Sequence, residues 1–249
     1  MSSITRNNNH DTIASMYDLK GIEQHDIAID CLEKLIFNQI PKAAQIFDLG
    51  CGTGQIAQRL LKRGYKVTGL DSSESMLQCA RQNAPNAEFI LDDARFFKLP
   101  PTFDAAISTD VVLNYVLSLE ELKNTLQNVY NALLTNAIFA FQMYIEENCK
   151  SSWSENSDGG GVKDNNAWIE IWSYDRETKL GRKETTRFQL VNGHWERSDK
   201  TFLLKLYSQL EIQTALEEVG FREIRIYDIK QDLGVEHSNS ETACFVCRK

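Results

Sequence analysis

Residues 46–57 read IFDLGCGTGQIA, an apolar run that ends in an aspartate and is followed by glycines at 50, 52 and 54. Glycine weakens strands and helices alike, so three within five residues mark a sharp turn or a place where something approaches the backbone closely. Working outward, QIFDL on the upstream side reads as a strand. On the downstream side QIAQRLLKRG sets Ile56, Leu60 and Leu61 on one helical face and stops at Gly64.

The same alternation continues to residue 143. KVTGLD is a second strand, and SESMLQCARQNA a helix ending before Pro85. AEFILDD and FDAAISTD are the third and fourth strands. In SLEELKNTLQNVYNALL, Ser118 and Glu121 form a capping box while Leu122, Leu126, Val129 and Leu133 keep helical spacing. AIFAFQMY is the fifth strand, and LLTNAIF places Asn136 at the turn before it. Strands alternating with helices predict an α/β fold, a doubly wound, mostly parallel Rossmann-like sheet of about seven strands.

Residues 145–207 break the rhythm. ENSDGGGVKDNN reads as a flexible polar loop, after which AWIEIWSYD, KETTRFQLVNG and HWERSDKTFLLKLY alternate in period two around the turn signal NGHW. This predicts an antiparallel β insert. The helix SQLEIQTALEEVGF, boxed by Ser208 and Glu211, and the strands REIRIYD and ACFVCRK then complete the sheet. The expected organisation is one domain over 1–249: N-terminal lid helices in 1–45, a core in 46–144, the insert in 145–207, and the last helix and strands of the core in 208–249.

Of the 249 residues, 42% are hydrophobic and 25% charged, as in an ordinary globular protein. The net charge of −8 sets the overall field against phosphate backbones, so nucleic acid is not an expected partner. Arg176, Lys179, Arg182, Lys183 and Arg187 alternate with acids, as on a solvated face. No apolar stretch reaches membrane-spanning length and the N-terminus has no signal pattern, which points to the cytoplasm. Cys244 and Cys247 have CxxC spacing, but neither a second such pair nor a nearby histidine completes a ligand set, so they read as strand residues and no metal is expected.

A glycine loop at the carboxyl end of the first strand of an open sheet is where ligands bind. Dinucleotides and S-adenosylmethionine both suit such a loop. The spacing here is GxGxG rather than GxGxxG, and Asp48 would oppose a pyrophosphate but favour a cationic ligand. Asp71, ending the second strand, offers paired acceptors to the hydroxyls of a ribose. Asp93, after the third strand, offers an acceptor to an adenine amino group, with the Ala94 backbone beside the ring.

FDLGCGTG, VTGLDSSESML, LDDARFFKLP and FDAAISTDVVLNYV, in this order, resemble the class I S-adenosylmethionine-dependent methyltransferases over residues 46–143 and, more loosely, at LEEVGF. VVLNYV and the insert are similar to small-molecule members, among them amino-sugar N,N-dimethyltransferases and related natural-product enzymes. The resemblance implies that Gly50, Cys51 and Gly52 line the methionine part of the cofactor, with Asp48 and the backbone near Thr109 and Asp110 around its ammonium. It further implies that Asp71 and Ser72 hold the ribose side, and that Met76, Asp93 and Ala94 hold the adenine side. Relatives often carry an acid late in the fifth strand where this chain has Gln142.

The implied activity is methyl transfer to N or O of a small-molecule acceptor by in-line displacement, in a monomer or homodimer. Asp110, Asn114 and Tyr115, after the fourth strand, are the expected acceptor-side residues, with Tyr17 in the lid. Asn114 would orient the acceptor and Tyr115 would face the methyl group. His10 and His25 are further lid residues. A cofactor-binding protein without turnover is the alternative; an NAD-dependent oxidoreductase would need a fingerprint that is missing.

Overall fold

The protein is seen in a computed structural model that describes residues 22–149, 153, 158–235 and 241–249. Its centre is a seven-stranded sheet in the order β10, β11, β5, β4, β1, β2, β3. These strands are β1 (Gln45–Leu49), β2 (Lys66–Asp71), β3 (Glu88–Leu91), β4 (Phe103–Ser108), β5 (Leu133–Tyr144), β10 (Arg222–Asp228) and β11 (Thr242–Arg248). All pair in parallel except β11, which lies antiparallel between β5 and β10. The chain order reverses at β1, which has β2 on one side and β4 on the other.

Period-two alternation sends successive strand residues to opposite faces, and each face has its own core. Phe47, Ala106, Phe139, Phe141 and Phe245 pack under α4 (Leu119–Ala132) and α5 (Gln209–Val219). Ile46, Ala105, Ile107, Ile138 and Ala140 pack on the other side under α1 (Ile22–Leu32) and α2 (Gln55–Lys62). Cys244 and Cys247, three residues apart, fall into different cores, so their thiols cannot share an ion. α3 (Glu74–Asn83) is capped by Ser73, whose side chain accepts from the Met76 amide at 3.2 Å.

Two capping signals resolve differently. The box at Ser208 and Glu211 closes in both directions. At Ser118 the hydroxyl accepts from the Glu121 amide at 3.2 Å and donates to Glu121 Oε2 at 3.3 Å, while Glu121 Oε1 takes Arg95 at 3.0 Å. Asn136 does take a left-handed turn, at φ 64°, within β5.

The insert forms a separate antiparallel sheet of β6 (Asp158–Lys163), β7 (Asn166–Asp175), β8 (Leu180–Val191) and β9 (His194–Lys205). Asn192 and Gly193, both at positive φ, make the tight turn between β8 and β9. The loop expected at ENSDGGGVKDNN is corrected over its middle, because residues 158–163 pair with β7 as an edge strand. Two of its glycines, Gly160 and Gly161, lie where a neighbour leaves no room for a Cβ. A Cβ on Gly161 would come within 2.5 Å of the Trp168 ring. The basic stretch is also corrected, since Arg187 is only 4% exposed and Lys183 is turned inward.

Candidate active site

A cavity of about 590 Å³ opens at the carboxyl ends of β1, β2 and β4. Its floor is the glycine loop. Gly50, Gly52 and Gly54 all have positive φ, and the Gly50 and Cys51 amides both donate to the Leu70 carbonyl, at 2.7 and 3.0 Å. Of the expected cofactor residues, Asp48, Gly50, Cys51, Gly52, Asp71, Ser72, Met76, Asp93, Ala94 and Thr109 all line this one cavity. Asp110 and Tyr115 line it as well. Tyr17 and His10 lie outside the described residues, whereas His25, on α1, faces the cavity.

Asp48 is 1% exposed and its Oδ2 has no hydrogen-bond partner among the described residues. Burial, and secondarily the charge of Asp71, push its carboxyl up to about 7. Such an acceptor is costly to leave alone and is satisfied by a cation with N–H donors. Asp71 takes the Gly52 amide on one oxygen and the Ser73 amide on the other, both at 2.9 Å, so it braces the loop before any ligand arrives.

Asp93 is engaged more heavily than expected. Its Oδ1 accepts from the Arg95 amide and from Arg95 Nε, both at 2.9 Å, and Oδ2 is ion-paired to the same guanidinium. Burial alone would push the Asp93 carboxyl up, but the hydrogen bonds and charge of Arg95 outweigh it and hold the group below the usual carboxylate range. Arg95 lines the cavity beside it and was not singled out from the sequence.

Asn114 is a correction. It is fully buried and does not line the cavity. Its amide donates to the carbonyls of Tyr144 at 3.0 Å and Lys205 at 2.8 Å, and its oxygen accepts from the Tyr144 amide at 2.9 Å. The side chain therefore ties the 3₁₀ turn Val112–Tyr115 to the end of β5 and the end of β9, and orients no acceptor. Asn114→Ala is expected to destabilise the fold by about 2 to 4 kcal/mol, since three backbone groups of Tyr144 and Lys205 lose their bonds to a fully buried side chain. Denaturant unfolding checks this, and a change under about 0.5 kcal/mol would refute the clamp.

The fourth strand ends in strain. Asp110 and Val111 are consecutive non-glycine residues at φ 53° and 54°, a conformation that costs on the order of 1 to 3 kcal/mol per residue and clusters at functional sites. The exposed surface of Asp110 opens onto the cavity. Burial pushes its carboxyl up to about 6, Lys183 pulls it back down and Glu170 pushes it up again. Tyr115 packs edge-on against Phe202 at 6.2 Å.

Sequence reasoning missed the wall of the cavity that the insert builds. Arg182 of β8 and Thr201, Phe202 and Leu203 of β9 close the side facing Asp110 and Tyr115. Only period-two alternation hinted at it, by setting Phe202 and Leu204 on the face opposite Thr201, Leu203 and Lys205. The tryptophans follow suit: Trp153 and Trp172 pack on Tyr144 with centroids at 5.1 and 6.1 Å, as insert core.

Comparison with known proteins follows the same lines. Residues 46–136 match the family described as methyltransferase domain. The putative methyltransferase YqeM of Bacillus subtilis is 27% identical over 219 residues, 86% of each chain. The dTDP-3-amino-3,4,6-trideoxy-alpha-D-glucopyranose N,N-dimethyltransferase of Streptomyces venezuelae is 33% identical over 113 residues, so the match spans about half of either protein (44% of this chain, 47% of that one). The solved structure of S-adenosylmethionine-bound CalS10, an amino pentose methyltransferase from Micromonospora echinaspora, shares the fold at TM-score 0.75 and 20% identity, covering 95% of this chain and 96% of its own. No helix among the described residues is long and apolar enough to cross a membrane. Residues 46–136 thus match a methyltransferase domain, and the chain as a whole is similar to S-adenosylmethionine-dependent methyltransferases, amino-sugar and natural-product ones among them.

Proposed function

We propose that the chain methylates a nitrogen or oxygen of a small-molecule acceptor, with an amine on a sugar-like ring as the first class to test. The observation that carries this reading is the buried, unpartnered Asp48 oxygen beneath the glycine loop, which suits the ammonium of the cofactor's methionine part. In this reading Gly50, Cys51, Gly52 and the Thr109 backbone surround that part, Asp71 and Ser72 hold the ribose, and Met76, Asp93 and Ala94 hold the adenine. The cofactor supplies an electrophilic methyl group on a sulfonium.

The chain's own residues align and dry the reaction. Tyr115, Phe202 and Leu203 exclude water from the acceptor side, where fixed geometry is worth more than any single contact. Asp110, which lines the cavity at the end of β4, would take the proton that the acceptor's N–H or O–H gives up. A group titrating near 6 is ionised at neutral pH and still a useful base. We further propose a single domain over 1–249, acting in the cytoplasm on a free small molecule. The matched relatives whose names specify an amino sugar support that substrate class.

Calorimetric titration of S-adenosylmethionine, S-adenosylhomocysteine and NAD into the purified protein tests the cofactor side, with binding of the first two expected. A screen of amines and hydroxyl compounds by homocysteine-product release then tests the acceptor. Binding without turnover on any acceptor would favour a sensor or subunit instead, and binding of NAD alone would sink the reading.

A further inference from the structure

Just past β3 the chain carries Asp93 and Arg95, two residues apart and both on the cavity wall. Their backbone is fixed locally. The Asp93 carbonyl accepts from the amides of Phe96 at 2.9 Å and Phe97 at 3.1 Å, and the Phe97 ring is buried against Phe47. The Asp93 side chain closes the turn on the Arg95 amide. The guanidinium is then held from three directions. Its Nε and Nη2 make a two-point contact with the Asp93 carboxylate, Nη1 donates to Glu121 Oε1 at 3.0 Å, and the group lies over Phe96, 5.1 Å from the ring centre. The Arg95 and Asp93 side chains are only 16% and 18% exposed. Glu121 sits in the first turn of α4 and does not line the cavity. The same helix reaches the loop a second time through Asn128, whose amide donates to the Ala94 carbonyl at 3.4 Å.

Asp93 Oδ1 takes two donors from Arg95, so Oδ2, which meets the guanidinium alone among the described residues, is the oxygen left to face a ligand. A carboxylate free to rotate or to take up a proton reads an amino group poorly. One that is locked and ionised accepts from an amino group and repels a carbonyl set in its place. We propose that Arg95 is a positioning residue for the cofactor's base: pinned by Glu121 and Phe96, its guanidinium locks the Asp93 carboxylate so that Oδ2 accepts from the adenine amino group and rejects a base with a carbonyl there. This rests on the reading above that Asp93 stands on the adenine side. Against the effect of burial, the hydrogen bonds and charge of Arg95 hold Asp93 below the usual carboxylate range, so it is charged at neutral pH. Through Glu121, helix α4 contributes to base recognition from behind the cavity wall.

The test compares two ligands that differ only along one edge of the base. They are S-adenosylhomocysteine and its deaminated analogue S-inosylhomocysteine, which has a carbonyl for the amino group and an N–H for the neighbouring ring acceptor. Calorimetric titration into the full-length protein is expected to show a preference for S-adenosylhomocysteine of about tenfold or more, the worth of a hydrogen bond to a charged acceptor. Arg95→Met is expected to lower S-adenosylhomocysteine affinity by about tenfold and to change that of the analogue by about twofold or less, so that the preference collapses. Arg95→Lys keeps the charge but not the two-point contact, and should fall between. A role in folding alone would weaken both ligands by the same factor.

Denaturant unfolding shows whether each variant is folded. Where Arg95→Met is not, Glu121→Gln carries the test, since it leaves the Asp93 contact in place and frees the guanidinium on one side. It should cut the preference by about two- to fivefold, and an unchanged preference overturns the inference. Equal losses for both ligands in a folded Arg95→Met protein, unchanged or tighter S-adenosylhomocysteine binding there, or an unsubstituted protein that binds the two ligands alike each overturns it as well. An unsubstituted protein that binds neither S-adenosylmethionine nor S-adenosylhomocysteine overturns the functional reading instead.

Discussion

Asp48→Asn should lower S-adenosylmethionine affinity by about 100-fold, on the order of 3 kcal/mol, while making the ligand-free protein more stable at pH 8. Both effects have one cause. Asp48 sits at the end of β1, 1% exposed, with one oxygen unpartnered and with Asp71 nearby. A carboxyl whose ordinary value is 3.8 and whose folded value is about 7 binds more protons folded than unfolded across that interval. Its contribution to stability is therefore fully present below about 4 and is lost as pH rises through 7, by roughly 4 kcal/mol at most. Asparagine removes that penalty. It also turns an N–H donor toward the place of an ammonium, so the ligand loses its counter-charge.

A linked consequence follows for the unsubstituted protein. Near neutral pH Asp48 is only partly ionised, and a bound cation draws it to the charged form, so binding releases a fraction of a proton. Calorimetry in buffers of different ionisation enthalpy measures that release, which should vanish in Asp48→Asn. Unchanged affinity in the asparagine variant, or a ligand-free stability that does not respond to pH between 5 and 8, would remove Asp48 from the site.

Gly54→Ala is expected to cost the fold about 3 kcal/mol or more. The residue is the N-cap of α2 at φ 77°, where a Cβ alone costs roughly 1 to 2 kcal/mol. The added carbon would also lie 2.9 Å from Ala80 Cα, 3.0 Å from its Cβ and 3.2 Å from its carbonyl oxygen. Those atoms belong to the spine of α3, and no rotamer change moves them. Gly50 makes the informative contrast: its Cβ would meet the two Val112 methyls at 2.5 Å, a side chain that substitution can trim. Trimming Val112 should therefore rescue a Gly50→Ala protein in part, whereas no side-chain change at position 80 should rescue Gly54→Ala. Denaturant unfolding with and without S-adenosylhomocysteine separates the two, and a neutral Gly54→Ala would show that α2 and α3 pack more loosely than these distances say.

Much of the cavity's lining was legible because it is set locally. Asp48, the glycine loop, Asp71, Asp93 and Thr109 each lie at or just past the end of a strand, and a parallel sheet carries all strand ends to one edge. Asp110 and Tyr115 were legible for the same reason. Asn114 was misread because an amide next to a site looks the same in sequence whether it faces a ligand or a backbone; its partners lie 30 and 91 residues away. Asp93 was half legible, since the Arg95 that holds it is two residues on, but the engagement of both oxygens is a matter of geometry. The glycine-rich run at 158–163 was misread because composition alone does not distinguish a free loop from an edge strand lying under a tryptophan.

The sequence by itself determined the alternation of strand and helix, the parallel sheet, the place where the loop must turn left-handed and the acids that follow each strand, because these depend on neighbours a few residues apart. Tertiary structure alone decided the acceptor side. Period two tells which residues of β7, β8 and β9 share a face, but not which face turns toward β4. That choice was made by the packing of Phe202 on Tyr115 and of Trp153 and Trp172 on Tyr144, and by the Asn114 clamp across the same junction. It takes Lys183 and Glu170 out of solvent and sets Phe202 in the cavity wall, a meeting of strands far apart in sequence that only the closed fold produces.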